Sequence, residues 1–287
     1  KSLEFGLFKT YSIPSISVIL VKTNEMKENM SKRYDDTDLI LREIIEHSND
    51  ENKIRPTLAI QRLNFLHGQY PISNNDYLYT LAVFIIEPIY WVDNYGYRKS
   101  HPKEREAMYV YWYDIGSKMG IKNIPNSWEE TEQWMIEYEL NHMRFHKNNL
   151  IIKKSTLDLF LSPFPSFIHP FGDSILSVFC LPRLRVAMGI SDPPFGLSTF
   201  IHLILKIQAN FINYFLLPRY KPLLRTPSEL LPSDNPNDNR PGKGCPLFHS
   251  YAPTYAKDGY RIDELGPEKY KAKREIYPLY PDIKSSK

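Results

Sequence analysis

The stretch RLNFLHGQYPISNND, residues 62–76, contains the end of one predicted helix and the start of the next. Apolar residues recur at helical spacing from position 55, with Pro56 near the start and Gly68 at the position where a helix commonly stops. Ser73 and the polar residues after it are typical of a helix N-cap. Two helices that meet in so short a connection predict an all-α fold.

The preceding segment, residues 24–50, also predicts a helix, because apolar or semi-polar side chains recur every three or four positions. Its predicted inner stripe is Met30, Tyr34, Thr37, Leu41 and Ile44. Arg33 and Thr37 are four residues apart, and we place both on this inward face. A buried arginine and a buried hydroxyl need partners. Either Arg33 forms an internal salt bridge, or both side chains line a cavity that binds an anion, an oxygen or a propionate.

Helical patterns continue along the chain, and no convincing strand alternation appears. A long apolar helix from position 74 must end or kink at Glu87-Pro88. Ser127 and Glu130 form a predicted capping box for a helix, whose apolar stripe would be Trp134, Tyr138, Leu140 and Phe145. From position 219 the chain turns proline-rich and polar. We therefore predict one multi-helix domain over residues 1–218 and an irregular C-terminal extension over residues 219–287, packed on the domain or trailing it.

Composition excludes several classes of protein. The chain has 287 residues, of which 42% are hydrophobic and 24% charged, as in an ordinary globular protein. A formal charge of +3 with scattered basic residues does not support nucleic-acid binding. The two cysteines, Cys180 and Cys245, make neither a disulfide framework nor a zinc-finger pattern. The sequence contains no glycine-rich phosphate loop and no G-x-S-x-G nucleophile motif.

One segment approaches the hydropathy of a membrane helix. Residues 199–217, TFIHLILKIQANFINYFLL, include Lys206 and several other polar side chains that a spanning helix accepts only at high cost. We interpret it as a mostly buried or interfacial amphipathic helix. The chain starts at Lys1 without a methionine, so we expect it to be a fragment. The sequence leaves open whether a membrane anchor lies upstream of Lys1.

Local context alone leaves the role of His67 open. It shares a predicted helix face with Ile60 and Leu63. It could be a packed core histidine, a cation at a helix C-terminus, a general base or a metal ligand.

A rival constellation lies in EYELNHMRFH, where Glu139, His142 and His146 have the spacing of metal ligands. Glu139 and His142 form half of the Glu-x-x-His pattern found in di-iron bundles, but no second copy exists. Either this is a non-haem metal site, or it is a solvated helix end.

Several segments together resemble a known family. KRYDDT (residues 32–37), RLNFLHGQYPISNNDYLYTL, EREAMYVYWYDIGSKMGIKNIPNSWEE and WMIEYELNHMRFH are similar to the fungal endoplasmic-reticulum-bound oxygenases of the mycophenolic acid type. That family shares its catalytic domain with the bacterial latex-clearing rubber oxygenases. The resemblance covers about residues 5–148 and continues more loosely through DELGPEKY.

The resemblance implies a globin-like, all-helical domain that binds haem b. The family's distal arginine and threonine fall on Arg33 and Thr37, and its proximal histidine falls on His67, 30 residues after Thr37. His67 is therefore the expected iron ligand, with Arg33 and Thr37 on the oxygen side. The family's distal lysine falls on Asp36, which cannot serve as a neutral nitrogen ligand. We expect Asp35 or Asp36 to act as a base or as a partner of Arg33.

The implied activity is a haem-dependent dioxygenase that cleaves a carbon–carbon double bond with O2. Its implied substrate is a hydrophobic alkene of the isoprenoid kind, in fungal secondary metabolism. The alternatives are the non-haem metalloenzyme described above and a helical scaffold without activity. The resemblance places the protein at the endoplasmic reticulum membrane through an upstream anchor; without one it would be cytoplasmic.

Overall fold

The computed structural model describes residues 2–48, 54–162, 164–217, 220, 224, 226, 255 and 260–271. Within these residues all regular structure is helical, which confirms the predicted all-α class. The α-helices are α1 (Ser2–Thr10), α2 (Pro14–Lys22), α3 (Glu25–Glu28), α4 (Met30–Glu46), α5 (Ile54–His67), α6 (Asn74–Tyr95), α7 (Pro102–Lys118), α8 (Trp128–His142), α9 (Lys147–Leu161), α10 (Gly172–Phe179), α11 (Pro182–Met188) and α12 (Leu197–Phe215). Short 3₁₀ helices occur at Ser166–Phe171, Ile262–Glu264 and Glu268–Tyr270.

The chain divides into two compact units. The first comprises Lys1–Met30 and Pro71–Pro222, and the second comprises Ser31–Tyr70 and Leu223–Lys287. Most of the expected C-terminal extension lies outside the described residues, so the boundary at residue 218 stays a prediction. The globin-like arrangement also stays a prediction.

Helix α6 forms the centre of the first unit, where it packs against α1, α7, α8 and α12. Ser73 caps it, since its hydroxyl accepts a hydrogen bond from the Asp76 amide at 3.1 Å. Pro88 lies inside the helix, which runs on to Tyr95. Of the two predicted alternatives at Glu87-Pro88, an end or a kink, the helix end is therefore excluded. A proline removes one backbone hydrogen bond, and the packing of this buried helix offsets that loss.

Three charged side chains are buried together where α1, α6 and α8 meet in the first unit. The Lys9 ammonium lies 2.6 Å from Glu87 and 2.6 Å from Glu139. The Tyr79 hydroxyl donates a hydrogen bond to Glu139 at 3.3 Å. Burial alone would lower the pKa of Lys9, but attraction to the two carboxylates outweighs it and raises that pKa. Lys9 is therefore charged in the core and holds two carboxylates there.

The start of α8 agrees with the sequence, but its buried face does not. The Ser127 hydroxyl accepts from the Glu130 amide at 3.1 Å, while the Glu130 carboxylate accepts from the Asn126 amide and not from Ser127. Leu140 and Phe145 are 68% and 55% exposed, so they do not belong to a core stripe. The residues of α8 that are buried are Trp128, Thr131, Met135, Tyr138 and Glu139.

Helix α12 covers most of residues 199–217, and Ala209 is its one buried residue. The interpretation of this segment as mostly buried is wrong, and the amphipathic alternative stands. Among the described helices, none has both the length and the apolar character required to cross a bilayer.

Candidate functional site

His67 is the last residue of α5 in the second unit. Pro56 lies in the first turn of this helix, which suits a residue without an amide hydrogen. At the other end the Gly68 amide donates to the Asn64 carbonyl at 2.9 Å, and the chain then leaves the helix. The His67 carbonyl accepts from the Tyr70 amide at 3.0 Å. Local chemistry thus places His67 at a helix end, as predicted.

The His67 ring is held in its neutral form. Its Nδ1 atom is shielded from solvent. Burial, followed by the positive charge of Arg33, lowers the pKa of His67 to about 4. A histidine with this pKa is uncharged at neutral pH, so His67 is not the helix-terminal cation considered above. A neutral imidazole is the form that coordinates metals or accepts protons.

Arg33 and Thr37 lie on α4 of the same unit, both half-buried. The positive charge of Arg33 helps to lower the pKa of His67, so these two predicted site residues lie within electrostatic range of each other. The Thr37 hydroxyl donates to the Arg33 carbonyl at 2.9 Å, within its own helix. In this rotamer the hydroxyl can only accept a hydrogen bond from a ligand.

The buried face of α4 is rotated from the predicted one. Its buried residues are Asp35, Asp36, Ile40, Glu43 and Ile44. Met30, Tyr34, Thr37 and Leu41 are half-buried. The sequence pattern failed here because a polar side chain can be buried when it has partners, and some partners of Asp36 and Glu43 are more than 200 positions away in sequence.

Asp36 pairs with Lys32. The Lys32 ammonium lies 2.9 Å from the Asp36 carboxylate and also donates to the Gly266 carbonyl at 2.6 Å. The Tyr255 hydroxyl donates to the other oxygen of Asp36. The expected pairing of Asp36 with Arg33 is therefore replaced by a pairing with Lys32, one turn earlier on α4. Both carboxylate oxygens of Asp36 are therefore already bound within the protein.

A second buried ion pair joins α4 to α5. The Arg55 guanidinium binds both oxygens of Glu43, at 2.7 and 2.6 Å. The Tyr260 hydroxyl also donates to Glu43. The sequence analysis did not identify this pair, and only a carboxylate at a core position of α4 could have indicated it.

Residues 260–271 pack on α5 close to His67. The Arg62 side chain, 1% exposed, donates to the carbonyls of Leu265 at 2.6 Å and Tyr270 at 3.2 Å. Phe65 meets the Tyr270 ring edge-on, with 6.0 Å between the ring centres. The segment DELGPEKY, noted in the sequence only as part of a resemblance, thus supports the helix turn that ends in His67.

The rival metal constellation is not assembled. Helix α8 ends at His142, and Met143 is extended, so His146 is the N-cap residue that precedes α9 rather than a residue one turn further along α8. The His142 ring contacts the Tyr138 carbonyl, and the His146 ring caps α9. Glu139 is bound to Lys9. In the described part of the chain, no group of three or more histidine, cysteine or acidic side chains could hold a metal ion.

Comparison with known proteins places the chain in a family. It is 32% identical over 206 residues to the ER-bound oxygenase mpaB of Penicillium roqueforti, an alignment that covers 66% of this chain and 68% of the relative. The chain belongs to the mpaB family of ER-bound oxygenases. It is also 27% identical over 331 residues to mpaB' of Penicillium brevicompactum, covering 99% of this chain and 77% of the relative. No protein-family model matches the chain.

Membership in the mpaB family confirms the resemblance found in the sequence and supports an oxygenase, and hence an oxidoreductase, activity. A third relative, the ER-bound oxygenase mpaB of Penicillium brevicompactum, is 33% identical over 158 residues, which cover 49% of this chain and 40% of the relative. In the described part of the second unit, the neutral ring of His67 is a coordinating group of the right chemistry for an mpaB-type chain. Arg33 is a permanent cation within electrostatic range of that ring.

Proposed function

We propose that this chain is a haem b-dependent oxygenase that uses O2 to cleave a carbon–carbon double bond in a hydrophobic, isoprenoid-like alkene. The observation that carries the proposal is the His67 ring, which is shielded at Nδ1 and kept neutral by burial and by the positive charge of Arg33. Family membership supports the oxygenase class. The haem cofactor and the alkene substrate go beyond what family membership supports, and they are our proposal.

His67 is the residue that we assign to the haem iron. A neutral ring nitrogen is the axial ligand of many haem proteins, and the low pKa of His67 keeps that nitrogen available well below neutral pH. The fit also agrees with the absence of a three-residue metal cluster among the described residues, since a haem brings its own four nitrogen ligands. When bound, haem supplies the oxygen activation and the electron chemistry, which no side chain provides.

Arg33 has two compatible roles. Its guanidinium is charged at any working pH and can pair with a haem propionate or donate to an oxygen atom that gains negative charge during the reaction. The Thr37 hydroxyl, already donating to the Arg33 carbonyl, orients the α4 backbone and can accept one hydrogen bond. Asp36 can act as a base only after Lys32 releases it. We therefore assign the main electrostatic and hydrogen-bonding role at the site to Arg33.

The names of the relatives also suggest a place for the reaction. Two mpaB proteins and mpaB' are described as ER-bound, and we propose that this chain likewise acts at the endoplasmic reticulum membrane. A bilayer dissolves isoprenoid-like alkenes, so an enzyme at its surface meets them at high local concentration.

An absorption spectrum of the purified protein tests the cofactor. Protein expressed with iron and a haem precursor should show a strong Soret band, and His67→Ala should lose it. His142→Ala is the matched control and should keep the band, because that ring contacts only the Tyr138 carbonyl and neighbouring aromatic groups. A colourless, folded wild-type protein would refute haem binding. Bound iron without a Soret band would favour a non-haem site instead.

Isotope labelling tests the reaction separately. Turnover of an unsaturated isoprenoid under ¹⁸O2 should give two carbonyl fragments that carry the label. A haem protein that leaves every tested alkene intact would keep the cofactor assignment and refute alkene cleavage.

A further inference from the structure

Helix α12 (Leu197–Phe215) exposes an apolar surface along its whole length. Phe200, Leu203, Ile207, Phe211 and Tyr214 follow one another at spacings of three and four, so they form one stripe on a single helix face. Every one of them is more than half exposed, from Phe211 and Leu203 at 53% to Tyr214 at 76%. The stripe is therefore not part of the protein core.

The opposite face of α12 attaches the helix to the first unit. Beyond its first two residues, the half-buried or buried positions of α12 are Ile201, Leu205, Ala209 and Ile212. The helix packs against α6 and α10. Between the two faces runs a polar sector of His202, Lys206, Asn210 and Asn213. Helix α12 therefore has a second apolar face, which points outward and does not take part in its packing on the first unit.

The exposed stripe is larger than isolated surface residues would produce. Three of its five side chains are aromatic, and the exposed ring of Phe215 extends the stripe by stacking on Phe211. At roughly 150–250 Å² per aromatic ring, these four rings alone present on the order of 500 Å². Monomeric soluble proteins rarely expose a continuous apolar patch above a few hundred Å² unless it binds something.

Charge indicates what the stripe binds. Helix α12 contains no acidic residue, and its one Lys or Arg is the exposed Lys206. A membrane surface, with phosphate groups over an apolar interior, accommodates both this ammonium and the stripe. A second copy of the chain would place like charges opposite each other, which costs free energy.

We propose that α12 is an interfacial membrane helix. It lies parallel to a phospholipid bilayer, with the stripe at the boundary between headgroups and acyl chains, and with its polar sector toward the phosphates. The inference rests on the membrane association proposed above and names α12 as the surface that contacts the membrane. It does not depend on the proposed haem chemistry. The helix acts from outside the bilayer, in keeping with its length, its polar residues and its firm packing on α6.

Vesicle co-sedimentation of the 287-residue chain tests the proposal. Wild-type protein should bind phosphatidylcholine vesicles, and added phosphatidylserine should strengthen binding at low salt. The triple variant Leu203→Glu, Ile207→Glu, Phe211→Glu should bind roughly tenfold more weakly or worse, because it places three charges in the apolar face.

The matched control places three charges on the polar side of the helix, as Thr199→Glu, Asn210→Glu, Asn213→Glu, and keeps His202, whose ring stacks on Tyr95. It should change binding to phosphatidylcholine vesicles by only about twofold, because the apolar face is intact. Circular dichroism spectra and thermal unfolding curves like those of the wild type establish that both variants are folded. Equal affinity for both vesicle types would contradict the role of Lys206.

Three results would overturn the inference. Wild-type protein that binds no vesicles refutes it outright, while leaving the haem assignment intact. A stripe variant that binds as well as wild type would mean that another surface meets the membrane. A stable dimer by light scattering that dissociates in the stripe variant, without vesicle binding, would assign the stripe to self-association.

Discussion

At the scale of the residue, His67 differs from the neighbouring candidates in what its ring contacts. His142 contacts a backbone carbonyl and stacks on Tyr138, and His146 caps a helix. His67 instead has a shielded Nδ1 and a pKa lowered to about 4 by burial and by Arg33. The positive charge of Arg33 is held where it lowers the pKa of His67. We therefore expect Arg33 to have a role beyond packing, and the variant Arg33→Ala tests that role.

Arg33→Ala should keep the Soret band and lose turnover by about a hundredfold or more, because one hydrogen-bond donor to developing charge contributes that much in other enzymes. The measurement is steady-state turnover per haem. Arg42→Ala is the control, since Arg42 is on the same helix but pairs with Asp38 and Glu46. Full activity in Arg33→Ala would remove Arg33 from the mechanism.

At the scale of the element, residues 260–271, here called the C-terminal segment, pack on α4 and α5 and hold them together. They supply two carbonyls to Arg62, one to Lys32 and a hydroxyl to Glu43. Gly266 makes the close approach to α5: its φ is +112°, and an added Cβ would lie 2.8 Å from a methyl group of Leu66. The position therefore requires glycine for two reasons, backbone conformation and space.

Gly266→Ala should lower the free energy of unfolding by about 2–4 kcal/mol, since it adds crowding to backbone strain. Gly120→Ala separates the two causes. Gly120 has φ +76° with nothing within 4 Å of an added Cβ, so this control should cost only about 1 kcal/mol. Urea unfolding measures both. Equal losses would show that the contact with Leu66 does not matter.

The C-terminal segment should also affect haem binding at His67. Because Leu66 directly precedes His67, Gly266→Ala should weaken haem retention as well as stability, whereas Gly120→Ala should leave the Soret band unchanged. A Gly266→Ala protein with normal haem content would mean that the end of α5 tolerates the displacement.

At the scale of the whole molecule, the two units each bury charge in their own interior. The first holds Lys9 between Glu87 and Glu139, and the second holds Arg55 on Glu43. Breaking such a buried pair by removing one partner commonly destabilises a protein by about 3–5 kcal/mol, because the other partner stays buried without compensation.

Lys9→Met should therefore destabilise the protein by about 3–5 kcal/mol at pH 8, measured by urea unfolding. Without the ammonium, a buried glutamate has a folded-state pKa above its unfolded value. Such a group contributes stability only when protonated, so the deficit of the variant should shrink as the pH falls from 8 to 5. Lys118→Met removes an exposed pair with Asp114 and should cost less than about 1 kcal/mol. A deficit that grows toward pH 5 would contradict this account.

Helix positions and helix ends could be predicted from the sequence, because they depend on neighbours a few residues away. Gly68 and Ser73 marked the ends of α5 and α6 correctly, and Ser127 the start of α8. The faces of α4, α8 and α12 could not be predicted as well. Which side of a helix is buried depends on what packs against it, and a periodic pattern does not contain that information.

The sequence by itself determined the helical class, the place of His67 at a helix end and, through the family resemblance, its spacing from Arg33 and Thr37. The tertiary structure alone decided the state of these groups. Burial made His67 neutral, Lys32 rather than Arg33 became the partner of Asp36, and residues 260–271 closed over α5. The reason is distance along the chain: Arg62 and Leu265 are 203 positions apart, and charge and burial act through space.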